Sequence, residues 1–174
     1  YGAGEAWESA SPKEYETPCA GIAEGLYNAF KEGGRNDIPF KVLFTAPGIG
    51  GTVIPGPYAA GERIFERCMK DVQKAKALCD SLGLAYKVSY IVWMQGEGNG
   101  ATSIASYSRE LANLMNLYNT RIKLITGQKD DIEVVNYQTT LNKGINGTRT
   151  QYPALAQFHL AENNPLIHMG APVY

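Results

Sequence analysis

Basic residues are in no excess in this sequence of 174 residues: 16 lysines and arginines face 17 acidic residues, and the formal net charge is −1. This balance excludes the basic surface that nucleic-acid binding needs and the polybasic run that binds an anionic membrane. No apolar stretch approaches the roughly 20 residues of a membrane span. No signal peptide is recognisable. Because the chain starts at Tyr1 and not at a methionine, we expect a fragment of a longer protein.

Cysteine is also scarce, with three residues in all. An odd number argues against a full disulfide framework. Cys68 and Cys79 fall on one predicted helix, where a rise of about 1.5 Å per residue places them too far apart to bond. They are not at metal-ligand spacing either. We therefore predict that these two and Cys19 are small buried hydrophobic residues, and we expect no metal site.

The remaining composition is that of an ordinary globular protein, with 44% hydrophobic and 19% charged residues. The length suits one α/β domain with one core. We find no internal repeat, low-complexity tract or linker. Residues 1–174 are therefore predicted to form a single domain.

Apolar periodicity alternates between two kinds along the chain. Helical spacing predicts helices at residues 17–33, 61–82, 104–118 and 152–160. Short apolar runs predict strands at residues 40–46, 86–94, 132–137 and 166–169. Strands that alternate with helices of this length predict a parallel sheet covered by helices on both faces.

Two unusual loops follow the first two predicted strands, at the edge where parallel sheets place their ligands. The first loop, residues 48–52, reads Gly-Ile-Gly-Gly-Thr. It lacks the Gly-Lys-Ser/Thr ending of a Walker A loop, and Val53 stands where a dinucleotide fingerprint needs its third glycine, so we rank nucleotide binding last. Two interpretations stay open: a tight turn that requires positive φ, and an oxyanion hole in which glycine lets backbone N–H groups approach a substrate oxygen.

The second loop, residues 95–100, begins with Gln95-Gly96-Glu97 directly after a buried strand. The Gln95 amide can donate an N–H to a developing oxyanion. Glu97 can accept a hydrogen bond from a histidine or orient the loop. The competing interpretations are a solvated carboxylate for Glu97 and a core aromatic for Trp93.

This second loop and the strand before it resemble a known family. Residues 91–97, Ile-Val-Trp-Met-Gln-Gly-Glu, resemble the Trp-x-Gln-Gly-Glu signature of the sialate O-acetylesterase-like carbohydrate esterases, within the SGNH (GDSL) hydrolase superfamily. Residues 46–52 are similar to the family's Gly-Gly-Ser/Thr loop. Residues 7–12, Trp-x-x-Ala-x-Pro, are similar to the stretch after its nucleophile block, and residues 137–138 fit a less specific feature. The matches follow the family's order through most of the chain.

The resemblance implies a three-layer α/β/α fold with a flavodoxin-like parallel sheet. It also implies hydrolysis of O-acetyl groups on sugars without metal or organic cofactor, by attack of a serine that a histidine activates. Carried over, Gly51 supplies a backbone oxyanion donor, Gln95 a side-chain donor, and Glu97 support for the histidine or the loop. The candidate substrate-binding residues in or beside these loops are Gly50, Thr52, Trp93 and Asn99. The implied partner is an O-acetylated carbohydrate.

Two parts of the family's pattern are missing from this sequence. No Gly-Gln-Ser-Asn-like motif ends a first strand, and no Asp-x-x-His motif lies near the C-terminus. Ser9 and Ser11 precede the first helix, but neither follows an apolar strand. His159 lies on the apolar stripe of the last helix and is predicted to be a packed structural histidine. His168 lies within the last strand, and we assign neither histidine as the base.

The missing nucleophile block includes the first strand, which is central in a flavodoxin-like sheet of order 2-1-3-4-5. Without it, the strands predicted at residues 40–46 and 86–94 flank a gap with unpaired backbone groups. Each such group costs on the order of 1–3 kcal/mol when buried. We therefore predict that another segment or another chain completes the sheet, and the alternative is a rearranged sheet.

Two functions are in competition. The first is a carbohydrate O-acetylesterase whose serine and histidine lie outside these residues. The second is a non-catalytic glycan-binding or structural module, since domains of the resembled family also occur in viral tail or fibre assemblies. A secreted or virion-associated location is compatible with the resemblance, and the sequence fixes no compartment.

Overall fold

The computed structural model describes residues 19–34, 41–49, 51–54, 60–139, 142–143 and 149–172. The chain divides into two compact units, Tyr1–Ala46 and Pro47–Tyr174. Among the described residues, no helix combines the length and the apolar composition needed to cross a membrane. The organisation of residues 1–174 as one domain stays a prediction.

The described part of the first unit contains one amphipathic helix, α1, Cys19–Glu32, which confirms the helix predicted there. It is followed by Gly34, whose φ of 68° suits a glycine that ends a helix. The strand predicted at residues 40–46 is wrong over residues 41–46, which form neither helix nor strand. The physical reason is that a strand exists only by pairing, and within the described part of this unit no second segment pairs with these residues.

The second unit carries the other helices and the strands. In chain order they are α2 (Ala60–Ser81), β1 (Tyr90–Trp93), a 3-10 turn (Glu97–Asn99), α3 (Ile104–Thr126), β2 (Glu133–Gln138), β3 (Asn142–Lys143), β4 (Arg149–Thr150), α4 (Tyr152–Asn163) and β5 (Ile167–Pro172). The three predicted helices of this unit are confirmed, as are the two later predicted strands. The strand predicted at residues 86–94 is confirmed only over the four residues of β1, Tyr90–Trp93.

The main sheet is parallel and three-stranded, in the order β1-β2-β5. Its register places Ile91, Val134 and Ile167 side by side, so they lie on one face of the sheet. Helices α2, α3 and α4 all pack on that face. Their buried core residues are Phe65, Met69, Val72, Tyr107, Leu111, Met115, Tyr118, Ile122 and Ala156. Burial of a large apolar side chain of this kind stabilises a fold by about 1.5–3 kcal/mol.

The opposite face of the sheet is open in the described part of this unit. Tyr90 and Val92 lie there and are 50% and 39% exposed. His168 and Glu133 share that face, and their side chains form a hydrogen bond of 2.7 Å. The unit is therefore a mixed α/β structure with a parallel sheet, and the second helical layer of the predicted three-layer fold stays a prediction.

The short strands β3 and β4 form a separate antiparallel pair after β2. The sequence shows no alternation there that predicts strands. Strand β3 contacts the 3-10 turn that follows β1. The pair therefore lies beside the carboxyl end of the main sheet.

Candidate functional site

The two loops that the sequence singles out meet at the carboxyl end of β1, and Asn99 joins them. Its Oδ1 accepts the Ile54 N–H at 2.9 Å, and its Nδ2 donates to the Ile54 carbonyl at 3.3 Å and to Thr102 Oγ1 at 3.2 Å. Asn99 is 4% exposed. A buried amide that is hydrogen-bonded at both ends holds its partners in place, because releasing them leaves polar groups unpaired. Asn99 thus fixes residues 51–54 against the 3-10 turn.

The Gln95 amide is fully engaged with protein groups. Its Nε2 donates to the Thr52 carbonyl at 3.1 Å and to Asn99 Oδ1 at 2.5 Å. Its Oε1 accepts the Tyr107 hydroxyl at 2.9 Å. An amide nitrogen has two hydrogens, and both are used here. The side chain therefore lies at the predicted edge, and a ligand oxygen has to replace one of these acceptors; the bond to Thr52 is the longer one.

Two buried polar side chains that the sequence did not single out form hydrogen bonds with Gln95. Tyr107 of α3 and Gln157 of α4 are both 0% exposed. Gln157 Nε2 donates to the Gln95 carbonyl at 2.6 Å and to the Tyr107 hydroxyl at 3.1 Å, and its Oε1 accepts the Thr139 N–H at 3.0 Å. Tyr107 and Gln157 both lie among the buried apolar residues of their helices, α3 and α4. The signal that could have found Gln157 is a polar residue among the apolar residues of a short helix.

Burial raises the pKa of the Tyr107 phenol to about 12. The Trp93 and Gln157 side chains oppose this rise. Because the phenol stays protonated at neutral pH, it keeps its role as a hydrogen-bond donor.

The glycines of the second loop are required by close packing. Gly96 has a φ of 148°, and a Cβ there would lie 2.7 Å from Thr139 Cγ2 and 3.2 Å from Gln157 Nε2. A Cβ on Gly98 would lie 2.9 Å from Val53 Cγ1. The loop can therefore sit directly on its neighbours only because these positions have no side chain.

The first loop presents a glycine N–H at the same edge. Gly51 has a φ of 74° and open space where a Cβ would be. Within the described parts of the chain, its N–H has no hydrogen-bond partner. Thr52 Oγ1 donates to the Ile49 carbonyl at 2.7 Å and closes the turn. Gly50 lies outside the described residues.

Glu97 lies exposed on the 3-10 turn, and its Oε1 accepts the Tyr137 hydroxyl. Tyr137 lies near the end of β2, so this hydrogen bond ties the turn to the neighbouring strand. Of the interpretations left open for Glu97, this geometry fits that of a residue that orients the loop.

The structure places Trp93 against the hydrophobic core, which is the core-aromatic interpretation. Its register neighbour Asn136 is 0% exposed. Trp93 Nε1, both polar atoms of the Asn136 amide and Thr139 Oγ1 are buried without a hydrogen-bond partner among the residues described. The Trp93 indole is close enough to affect the Tyr107 pKa, but not in hydrogen-bond geometry. Unpaired buried groups cost about 1–3 kcal/mol each, so this edge concentrates costly polar burial.

Neither histidine completes a catalytic pair at this edge. His168 hydrogen-bonds to Glu133 on the open face of the sheet. The prediction that His159 is a packed histidine is wrong: its side chain is 54% exposed and lies 3.4 Å from Glu162. The reason is that α4 buries a different stripe, which consists of Pro153, Ala154, Ala156 and Gln157.

The structure also describes the three cysteines of the chain. All three are free, and all are half-buried, so the prediction of full burial is too strong. Burial raises the pKa of the Cys68 thiol to about 11, which keeps it protonated at neutral pH. No group of three or more His, Cys, Asp or Glu side chains that could hold a metal occurs in the described ranges.

A pocket of about 490 Å³ lies at the other, amino end of the strands. Its lining residues are Lys87, Ser89, Tyr90, Lys129, Asp130, Asp131, Glu133 and Leu166. Its charges largely pair with their neighbours, as Lys87 does with Asp130 at 2.7 Å. We treat it as a solvated charged surface, because the residues of chemical interest lie at the carboxyl end.

No protein-family model, no curated protein and no solved structure matches this chain. The fold and the site define a mixed α/β protein with a parallel sheet, whose carboxyl edge carries two loops locked together over a buried polar network. Any functional conclusion therefore rests on the geometry of this edge.

Proposed function

We propose that this chain forms the oxyanion side of a carbohydrate O-acetylesterase of the sialate O-acetylesterase-like type, with the serine and histidine supplied by another segment or chain. The observation that carries the proposal is the junction of residues 51–54 with the 3-10 turn through Asn99 and Gln95. This junction brings the Gly51 N–H and the Gln95 amide to one edge. A backbone N–H and a side-chain amide are the donors that acyl-transfer enzymes aim at a tetrahedral oxyanion.

The sheet topology supports a flavodoxin-like SGNH arrangement. The steps from β1 to β2 and from β2 to β5 run in the same direction across the sheet, through α3 and α4. Right-handed crossovers in one direction place their helices on one face, where α3 and α4 lie. Helices on the other face of a doubly wound sheet belong to crossovers that run the opposite way, from a strand beyond β1. A missing strand would pair with the free edge of β1, and the helix of its crossover would cover the open face.

A completing strand beside β1 is therefore part of the proposal. Parallel sheets are normally buried on both faces, yet Tyr90 and Val92 of β1 are exposed. The strand beyond β1 is also where the family's nucleophile block belongs. A serine at its carboxyl end would face Gly51 and Gln95 across the gap.

In this site the two loops bind and orient the acetyl group. The acetyl carbonyl oxygen accepts the open Gly51 N–H, and Gln95 Nε2 exchanges its long bond to the Thr52 carbonyl for one to the same oxygen. This exchange favours the transition state, because an oxyanion is a stronger acceptor than a neutral carbonyl. Glu97 and Tyr137 hold the turn that carries Gln95.

The test is acetate release from an O-acetylated sugar. It uses the completed protein, that is, this chain together with the segment or chain that supplies the serine and histidine. We expect Gln95→Ala to lower kcat about 10²- to 10³-fold, the usual effect of removing one oxyanion donor. Gln73→Ala is the matched control, because Gln73 is an exposed glutamine on α2, and we expect it to leave the rate unchanged. A Gln95→Ala variant that folds and releases acetate at the wild-type rate contradicts the proposal.

One observation favours the second function, a non-catalytic glycan-binding or structural module. Both Nε2 hydrogens of Gln95 are already donated to Thr52 and Asn99, as expected of a purely structural amide. For that function the completed protein binds a glycan or assembles with other chains and releases no acetate. The same assay therefore separates the two functions.

A further inference from the structure

Two helices each contribute one buried polar side chain that hydrogen-bonds to Gln95. We propose that Tyr107 of α3 and Gln157 of α4 are positioning residues, which orient the Gln95 amide with its N–H groups toward residues 51–54. The use of that orientation in ester hydrolysis rests on the proposed function above. The orientation itself does not, and it is measured separately.

Tyr107 determines which end of the amide points outward. Its hydroxyl donates to Gln95 Oε1 at 2.9 Å, the shorter of two contacts, since the Gln95 carbonyl oxygen lies 3.1 Å from the same hydroxyl. Because the oxygen and nitrogen of an amide lie on opposite sides, this bond directs Nε2 away from α3 and toward the Thr52 carbonyl, 3.1 Å away. A protonated phenol, with a pKa of about 12 raised by burial, keeps this direction across the neutral pH range. Without the hydroxyl, Gln95 Oε1 loses its donor, and the direction of the amide depends on the acceptors of Nε2 alone, the Thr52 carbonyl and Asn99 Oδ1.

Gln157 determines where the Gln95 backbone lies. Its Nε2 donates to the Gln95 carbonyl at 2.6 Å, and its Oε1 accepts the Thr139 N–H at 3.0 Å. One side chain thus holds the loop after β1 and the residue after β2 at a fixed separation. The Gly96 Cα rests on the same group, since a Cβ there would come within 3.2 Å of Gln157 Nε2. Gln157 also donates to the Tyr107 hydroxyl at 3.1 Å and so uses one of its lone pairs.

The first experiment follows the Gln95 side-chain amide by NMR in the ¹⁵N-labelled completed protein, with the resonance assigned by its loss in Gln95→Ala. In the wild type we expect one amide signal pair that is protected from hydrogen exchange. Tyr107→Phe removes one oxygen atom, and we expect at least about tenfold faster exchange, because about 1.4 kcal/mol of hydrogen bonding is a factor of ten. Tyr118→Phe is the control, since Tyr118 lies about three turns further along α3 and packs on Phe65.

Gln157→Met is the second variant, and it keeps the test decisive if Tyr107→Phe fails to fold. It preserves the length of the side chain but removes its donors and acceptor. We expect the same loss of protection at Gln95. Unchanged exchange of the Gln95 amide in whichever of the two variants folds overturns the positioning role, as does an equal effect of Tyr118→Phe.

The second experiment is a double-mutant cycle on acetate release. If Tyr107 acts through Gln95, Tyr107→Phe lowers kcat about tenfold or more in the wild type but has no further effect in Gln95→Ala. Equal losses in both backgrounds overturn this role and indicate general destabilisation. A wild type that releases no acetate but shows the expected exchange pattern overturns the proposed function while the positioning of Gln95 stands.

Discussion

At the scale of the residue, the site depends on amide side chains that form hydrogen bonds and on glycines that leave space for them. Asn99, Gln95 and Gln157 are buried or half-buried amides, and each bonds to at least one backbone group of a loop and so fixes its position. Gly96 and Gly98 let that loop descend onto the network because they carry no side chain. The sequence motif predicted where Gln95 and Glu97 lie, since both follow β1 at the carboxyl end of the sheet. It could not show that the Gln95 amide is already hydrogen-bonded.

Gly96→Ala tests the close packing of the loop. A Cβ would lie 2.7 Å from Thr139 Cγ2, and the φ of 148° is unfavourable for any other residue. We expect a loss of about 1–3 kcal/mol in the free energy of unfolding, as for other strained backbone positions. Urea denaturation measures it. Gly48→Ala is the control, because nothing lies within 4 Å of a Cβ there; equal effects of both substitutions would refute the packing account.

At the scale of the element, the spacing of apolar residues predicted the helices and strands that bury a continuous apolar surface. The apolar stripes of α2 and α3 and the runs at β2 and β5 were sufficient, because each of these elements buries a continuous apolar surface against the others. Residues 41–46 also form an apolar run, but in the described parts of the chain no segment pairs with them. A single run does not specify the segment that it pairs with. In α4 the stripe was misplaced, because Gln157 takes a buried position that a hydrophobic pattern assigns to an apolar residue.

The turn between α3 and β2 contains an ion pair that makes the stability of the fold depend on pH. Asp131 accepts from Lys123 Nζ at 2.7 Å and from Asn119 Nδ2 at 2.9 Å. The hydrogen bond from Lys123, and then that from Asn119, lowers the pKa of the Asp131 carboxyl below its usual range. A lowered pKa in the folded state stabilises the fold above the unfolded pKa, and this contribution is lost as the pH falls through the folded value.

We therefore expect Asp131→Asn to be less stable than the wild type at pH 7, and the difference to shrink as the pH falls below about 4. The effect is small, because the pair is exposed, and it decreases with added salt. Denaturation midpoints at a series of pH values measure it. A difference that is constant from neutral to acid pH contradicts this account of the turn.

At the scale of the whole molecule, the described main sheet is parallel and three-stranded, in the order β1-β2-β5. One face is packed by three helices, and the other presents Tyr90 and Val92 to solvent. The absence of a nucleophile block predicts a missing strand, and this stays a prediction. The sequence could not identify a completing strand, because residues outside this chain leave only an indirect trace in it. We propose that this chain forms only the oxyanion side of an esterase site.

The native mass of the purified protein, measured together with its thermal unfolding, tests this claim most directly. We expect a species heavier than the 18.9 kDa of this chain, in which the additional segment or chain carries a strand that ends in a serine. We also expect that removal of this additional segment or chain abolishes cooperative unfolding, because the edge of β1 and the open face of the sheet would then be exposed to solvent. A species of 18.9 kDa that unfolds cooperatively by itself would contradict the account.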